Sequence, residues 1–233
     1  MRTAAIAAMS ILCAASAVAE IPVHADAELG FDSRHMKYGR VENDEPIYRM
    51  EGEVECLDLF HIGIESVHGL DSRGRCLELS PSAGVGHIFT PDDAGWLPTD
   101  VELSADYLYE HCAREDDGQF ITFGIGLPAL ILEPAFLWEA ETMRDCGNYL
   151  AAEVGHTFDL TRGISLRLSA WEGWGDGRRN ERGAGLMDTR IRACVNYRVT
   201  ERIGVSAYAA YCDYFHGADD RTWLGGAFVR FGF

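Results

Sequence analysis

The chain has 233 residues, of which 47% are hydrophobic and 11% aromatic, with 7 prolines. This composition excludes a disordered, collagenous or disulfide-knotted chain, because it supplies enough apolar surface for a folded unit. The formal net charge is -17, from 20 Lys and Arg against 37 Asp and Glu. So acidic a chain lacks the basic face that binds nucleic-acid phosphates, and we exclude a nucleic-acid partner.

Residues 1–19 have the features of a secretory signal peptide. Arg2 supplies a positive charge, residues 4–17 form an apolar stretch, and Ala17-Val18-Ala19 matches the small-residue cleavage pattern. The alternative is a buried N-terminal helix, which is disfavoured because the segment has no polar face. We therefore predict a mature domain of residues 20–233, exported to a compartment where disulfides are permitted but not required.

The rest of the chain alternates apolar and polar residues, with little of the i, i+3, i+4 recurrence of an amphipathic helix. At its start, Val23, Ala25, Ala27, Leu29 and Phe31 fall on one face of an extended segment. The pattern predicts an all-β chain of about twelve strands. They lie near residues 23–32, 50–58, 60–69, 76–89, 99–112, 119–127, 129–141, 147–158, 163–174, 186–199, 202–215 and 222–233.

The lengths of these strands and of their connections favour a barrel that spans a membrane. Several predicted strands reach ten residues, longer than is usual in soluble sheets and enough for a tilted strand to cross a bilayer. Connections after odd-numbered strands are mostly long or charged, as at 33–49, 113–118 and 175–185. Most of those after even-numbered strands are tight, as around Leu59, Pro128, 159–162 and Glu201, although the loop at 90–98 departs from the rule. This asymmetry is typical of a single antiparallel outer-membrane β-barrel.

Aromatic residues of the apolar phase fall near both ends of the predicted strands. At the short-turn ends they are Phe60, Phe89, Phe158, Tyr197 and Phe233, and at the long-loop ends Tyr109, Trp138, Tyr211 and Trp223. Two such belts fit the two headgroup boundaries of a bilayer. The alternative is a soluble β-sandwich or lipocalin-like barrel whose apolar phase forms its core.

The last predicted strand ends in Phe233, with Phe231, Val229 and Ala227 at alternate positions before it. This ending resembles the C-terminal signal of Gram-negative outer-membrane proteins. The first loop, Ser33-Arg34-His35-Met36-Lys37-Tyr38-Gly39 followed by Asn43-Asp44-Glu45-Pro46, looks like the corresponding segment of TorF-type porins. The resemblance implies an outer-membrane location, outer-membrane lipid around the barrel, and assembly machinery that recognises Phe231 and Phe233.

If the apolar phase faces lipid, the polar phase faces an enclosed space. Acids dominate the second to eighth predicted strands, and arginines the strands that close the circle. The predicted pore-lining residues are Glu102, Asp106, Glu110, Glu133, Glu139, Glu153, Arg167, Arg190, Arg192 and Arg230. An acidic wall opposite a basic wall creates a transverse field in water, and the surplus of acids favours cations. The alternative is a narrow barrel filled by paired Arg and Glu side chains.

We find no catalytic constellation in the sequence. His87 and His156 have the outward phase that a lipid-facing phospholipase needs, but no outward serine lies on a neighbouring predicted strand. His111, Glu110 and Asp116 could group as a protease site at the outer mouth, although solvated loop tips carry similar charges. An enzyme is therefore not predicted.

The cysteines show no C-x-x-C or histidine-rich spacing, so no metal site and no cofactor are predicted. Cys76 and Cys112 lie near the same ends of consecutive predicted strands, in the same phase. An antiparallel register could place them opposite each other and permit a disulfide.

The sequence thus predicts a porin-like channel for passive diffusion of small hydrophilic solutes, cation-preferring and located in the outer membrane of a Gram-negative bacterium. The loops at 33–49 and 175–185 are expected to gate its mouth. The alternative is a closed structural or adhesive barrel whose extracellular loops bind partners.

Overall fold

The computed structural model describes residues 22–37, 40–70, 75–113, 117–143, 146–176, 178, 183–215 and 221–233. The predicted signal peptide, residues 1–19, lies outside these ranges. No helix long and apolar enough to span a membrane occurs in the described part of the chain. The described elements are the strands β1 (Val23–Asp32), β2 (His35–Lys37), β3 (Arg40–Asn43), β4 (Ile47–Cys56), β5 (Phe60–Gly69), β6 (Cys76–Phe89), β7 (Val101–Cys112), β8 (Gly118–Gly126), β9 (Ala135–Glu141), β10 (Asn148–Thr161), β11 (Ile164–Gly175), β12 (Gly185–Arg198), β13 (Ile203–Tyr214) and β14 (Arg221–Gly232).

Twelve of these strands close into one antiparallel barrel, in the order β1-β14-β13-β12-β11-β10-β9-β8-β7-β6-β5-β4. Strand β1 closes the circle because it pairs with β14, from Asp26↔Gly232 to Asp32↔Gly226, and along its whole length with β4. A closed barrel leaves no unpaired sheet edge. An unpaired edge would be costly in a bilayer, because its backbone N–H and C=O groups would find no hydrogen-bond partner there. The predicted all-β class and the predicted twelve-stranded barrel are confirmed.

The two faces of the barrel differ as the two-residue period requires. On the outer face, Ile62, Ile191 and Leu150 expose 61%, 59% and 53% of their surface. On the inner face, Asp32 and Glu110 are buried. A soluble sandwich would bury its apolar phase, so the outward apolar face contradicts that alternative. Most of the predicted belt residues are exposed: Phe60, Phe89, Phe158, Tyr197 and Phe233 at one rim, and Trp138 and Trp223 at the other. Tyr109 and Tyr211 are half-buried.

The start of β1 and the end of β14 lie at one rim of the barrel, which we call the short-turn rim. The connections at this rim are 57–59, 90–100, 127–134, 162–163 and 199–202. The opposite rim, which we call the loop rim, carries the 33–46 connection with its own hairpin, β2–β3.

One predicted strand, 129–141, is wrong in its first half. Strand β9 begins only at Ala135, and 127–134 forms a turn in which the Leu127 N–H donates to the Pro134 carbonyl at 2.9 Å. Proline has no N–H to donate to the ladder, which disfavours a paired strand position for Pro134 and fits its place at the end of the turn. The apolar run Leu130-Ile131-Leu132 imitates a strand, but it lies exposed at the rim.

Candidate functional site

The inner face of the barrel is the candidate site. The register places these predicted pore-lining residues on it: Glu102, Asp106, Glu110, Glu139, Glu153, Arg167, Arg190, Arg192 and Arg230. Glu133 is the exception, because it lies in the 127–134 turn with a positive φ of 38° rather than on a strand. Its carboxylate nevertheless accepts a hydrogen bond from the Arg167 Nη1. That these side chains line a water path stays a prediction.

Two arginines of β12 lie over aromatic rings of the neighbouring strands. Arg190 is 5.2 Å from the ring centroid of Trp171, and Arg192 is 4.2 Å from that of Tyr208. The Tyr208 hydroxyl in turn donates to Asp32 Oδ1 at 2.6 Å. A guanidinium over a ring is held in place by the quadrupole of the ring. No described carboxylate lies within 4.0 Å of either guanidinium, so neither arginine forms an ion pair with a described residue.

Arg49 of β4 is an inner-face cation that the sequence analysis missed. Its guanidinium lies 3.5 Å from Glu28 Oε1 and 3.6 Å from Glu65 Oε1. Glu28 also lies 3.3 Å from Arg230 Nη2, so this carboxylate joins the two arginines across β1. The signal was available, because Arg49 precedes Glu51 by two residues and therefore shares its face.

Arg167 of β11 forms a second interior ion-pair group, with Glu133 and Glu153. Its Nη2 is 3.8 Å from Glu153 Oε1. A Cβ on Gly155 would lie 2.8 Å from this nitrogen. Glycine at this position therefore leaves the space that the guanidinium occupies.

The first loop reaches into the barrel from the loop rim. Lys37, on β2, pairs with the carboxylate of Glu110 on β7, which is 1% exposed, and lies 3.8 Å from Glu78 on β6. His35 adds a contact of 3.3 Å to Glu78. On the other side, Arg34 donates to the Thr222 hydroxyl of β14 at 2.5 Å. The segment thus crosses the mouth from β14 to β6 and β7.

The sequence predicts only that the first loop gates the mouth. It does not predict that Lys37 and Arg34 fix this loop to the inner wall. The other predicted gate, 175–185, lies partly outside the described residues. Sequence periodicity cannot reveal a loop that folds inward, because the contacts of Lys37 depend on strands 40 or more residues away.

Space remains at the short-turn end of the bore. A cavity of about 540 Å³ is lined mainly by β11 to β14, and a smaller one of about 240 Å³ lies among β7 to β11. Glu102, Glu153 and Trp171 line the smaller cavity. The interior is therefore not packed by side chains along its whole length.

The histidines considered for catalysis occupy ordinary positions on the outer face. His87 and His156 pack edge-on against Phe89 and Phe158, with centroids 4.7 and 4.6 Å apart. His111 contacts Asp117 Oδ1 at 2.7 Å. The suggested protease grouping is not assembled in the described residues, since Glu110 faces the interior on the opposite side of β7 from His111, and Asp116 lies outside the described residues.

The suggested Cys76–Cys112 disulfide is wrong. The uninterrupted register of β6 against β7 places Glu78, rather than Cys76, opposite Cys112, and both cysteines are free. The Cys76 thiol donates to the Glu78 carbonyl at 3.4 Å, and the Cys112 thiol to Glu110 Oε1 at 2.8 Å.

A closed antiparallel barrel with an apolar outer face and a charged inner face defines the class: this is an outer-membrane β-barrel with a porin-like fold. Solved structures share the fold at low sequence identity. The KdgM porin matches with a TM-score of 0.56 and 8% identity over 90% of this chain and 99% of that one. The NanC porin matches at 0.57 and 10% over 89% and 98%. An outer membrane channel from Pseudomonas putida F1 matches at 0.53 and 9% over 91% and 95%.

No protein-family model matches the chain, and no curated protein matches its sequence. The solved structures show that the fold is that of outer-membrane porins and channels. The TorF-type resemblance of the first loop stays a prediction.

Proposed function

We propose that the protein is a channel for passive diffusion of small hydrophilic solutes across the outer membrane of a Gram-negative bacterium. The observation that carries this proposal is the charged inner face, which borders open cavities instead of a packed core. Ionised side chains in such number are costly in a dry interior, so they favour water in the bore. The porin-like fold supports the same conclusion.

We further propose a preference for cations. Carboxylates outnumber arginines among the inner-face residues of the described strands. The acids are Asp26, Glu28, Asp32, Glu51, Glu53, Glu55, Glu65, Glu78, Glu102, Asp106, Glu110, Glu139, Glu141, Glu153, Asp159 and Asp188. The arginines are Arg49, Arg167, Arg190, Arg192, Arg198 and Arg230. A surplus of fixed negative charge raises the local concentration of cations.

The β2–β3 hairpin is the proposed constriction of this path. It occupies the loop rim through Lys37 and Arg34, which hold it to opposite parts of the wall. Solutes would have to pass beside it, so its position sets the effective width of the mouth.

Bilayer conductance tests the channel directly. Purified protein in a planar bilayer should give discrete current steps with a cation-selective reversal potential. The competing function is a closed structural or adhesive barrel. Silence in the bilayer, from protein whose unheated sample still migrates as a folded barrel in a gel, would favour that function.

We also propose that the outer-membrane assembly machinery recognises Phe231 and Phe233. Both side chains face outward at the short-turn rim, exposed by 36% and 63%, and the Phe233 N–H continues the ladder to the Ala25 carbonyl at 2.8 Å. Removal of Phe233 should lower the fraction of heat-modifiable barrel in membranes. Normal assembly without it would contradict the proposal.

A further inference from the structure

The cavity of about 540 Å³ at the short-turn end is rich in arginine, although the chain as a whole is strongly acidic. We call it the basic pocket. Its charged lining residues are Arg167, Arg192, Arg198, Arg202 and Arg230, with Asp26, Glu153 and Glu201. Among the residues that line this cavity, positive charge therefore exceeds negative charge.

Three of the five arginines in the basic pocket form no ion pair with a described residue. Within the part of the chain that the structure describes, no carboxylate lies within 4.0 Å of the guanidinium of Arg192, Arg198 or Arg202. The Nε of Arg192 is also buried without a hydrogen-bond acceptor. A buried donor of this kind is costly unless it finds an acceptor.

The uncharged polar neighbours add donors. Asn196 Oδ1 already accepts hydrogen bonds from the Ser206 hydroxyl at 2.7 Å and from the Cys194 thiol at 3.5 Å. The amide NH₂ of Asn196 donates to no described residue, and Asn196 lines the basic pocket beside Arg192. A cavity that offers guanidinium and amide donors complements a ligand made of acceptor oxygens.

We propose that the basic pocket is a binding site for small oxyanions, the carboxylate or phosphate groups of solutes, with Arg192 as its central ligand. The planar fork of an arginine matches both groups in two-point hydrogen bonding. This inference rests on the proposed function only in requiring that water reach the bore. It is compatible with cation preference, because the pocket is a local feature of an inner face that is acidic overall.

Calorimetric titration of the folded barrel in detergent tests the site. The probes are malonate, inorganic phosphate and the neutral malonamide, which has the shape of malonate without its charge. Malonate or phosphate should bind, more weakly as salt is raised, and malonamide should not. Binding by only one of the two anions would identify which oxyanion the pocket selects.

Two variants and one control locate the site. Arg192→Gln should weaken binding roughly tenfold, as expected for loss of a charge-assisted hydrogen bond. Asn196→Asp, which keeps the side-chain shape and adds a repelling charge, should weaken it as well and serves if Arg192→Gln fails to fold. Arg221→Gln removes the same charge from a largely exposed residue, paired with Asp213 outside the pocket, and should leave the affinity unchanged.

Absence of binding by both anions, or equal affinity in the wild type and in Asn196→Asp, would overturn the inference. The outcomes are separable from those of the proposed function. Conductance without oxyanion binding would remove the site and keep the channel, whereas binding without conductance would remove the channel and keep the site.

Discussion

Lys37, in the first loop, lies against the buried carboxylate of Glu110 on the far wall of the barrel. The Lys37 side chain is 22% exposed and that of Glu110 1%, so the pair is largely removed from water. It ties a hairpin of the 33–46 connection to strand β7. In the proposed channel, this tie would set the width of the mouth.

Lys37→Gln should release the hairpin and widen the mouth. Loss of one partner leaves a buried charge without its counter-ion, which costs roughly 3–5 kcal/mol in other proteins. We expect a larger single-channel conductance and more frequent transitions between current levels. Asp44→Asn is the matched control, since it breaks only the Arg34–Asp44 pair, in which the Asp44 side chain is 75% exposed. Identical currents for Lys37→Gln and the wild type would show that the hairpin does not limit the path.

The arginines of β12 should set ion selectivity. The double variant Arg190→Glu, Arg192→Glu replaces two positive side chains of the inner wall by two negative ones. The preference for potassium over chloride should therefore rise by roughly twofold or more. The measurement is the reversal potential across a salt gradient. Arg221→Glu makes the same change of charge at the outside of the loop rim and should have a much smaller effect. Unchanged selectivity in the double variant would mean that these arginines do not border the conducting water.

The alternation of residues was enough to predict the barrel, its strand number and the two faces, because a two-residue period is a local property of an extended chain. The failures have non-local causes. The turn at 127–134 shortens β9, although its apolar run looks like a strand. The pairing of Lys37 with Glu110 depends on how a loop crosses the bore, and the offset of Cys76 from Cys112 depends on the register of β6 against β7.

Gly84→Ala should destabilise the barrel. A Cβ at this inner-face position would clash with Asp106 Oδ1 and would lie 2.8 Å from the Ala105 carbonyl oxygen. The backbone cannot easily give way, so we expect a loss of about 1–3 kcal/mol. The denaturant midpoint in detergent measures it. Gly52→Ala, where a Cβ meets nothing within 4 Å, should be close to neutral, and equal effects at the two glycines would contradict the packing described here.

The turn that Asp93 forms with Thr90 in the 90–100 connection should lose stability at acid pH. Its Oδ2 accepts hydrogen bonds from the Thr90 N–H at 2.9 Å and the Thr90 hydroxyl at 2.8 Å, and these bonds lower the pKa of Asp93 below its ordinary 3.8. Because the folded pKa is depressed, the stabilisation is present above the ordinary value and is lost as the pH falls through the folded pKa.

Hydrogen exchange at the Thr90 amide measures this effect. After correction for the intrinsic rate, protection should decrease at acid pH in the wild type. Asp93→Asn should show lower protection that does not vary over the same pH range. A wild-type amide whose protection is independent of pH would show that the carboxylate does not hold the turn.

The orientation of the sheet around a water path is the central claim, and two adjacent residues of β12 test it most directly. In a background without native cysteines, Asn196→Cys places a thiol on the inner face and Val195→Cys on the outer face. A charged, water-soluble thiol reagent is then added to single channels in a bilayer. The account predicts that the current through Asn196→Cys falls on modification and that the current through Val195→Cys does not change. A response at Val195, or none at Asn196, would contradict it.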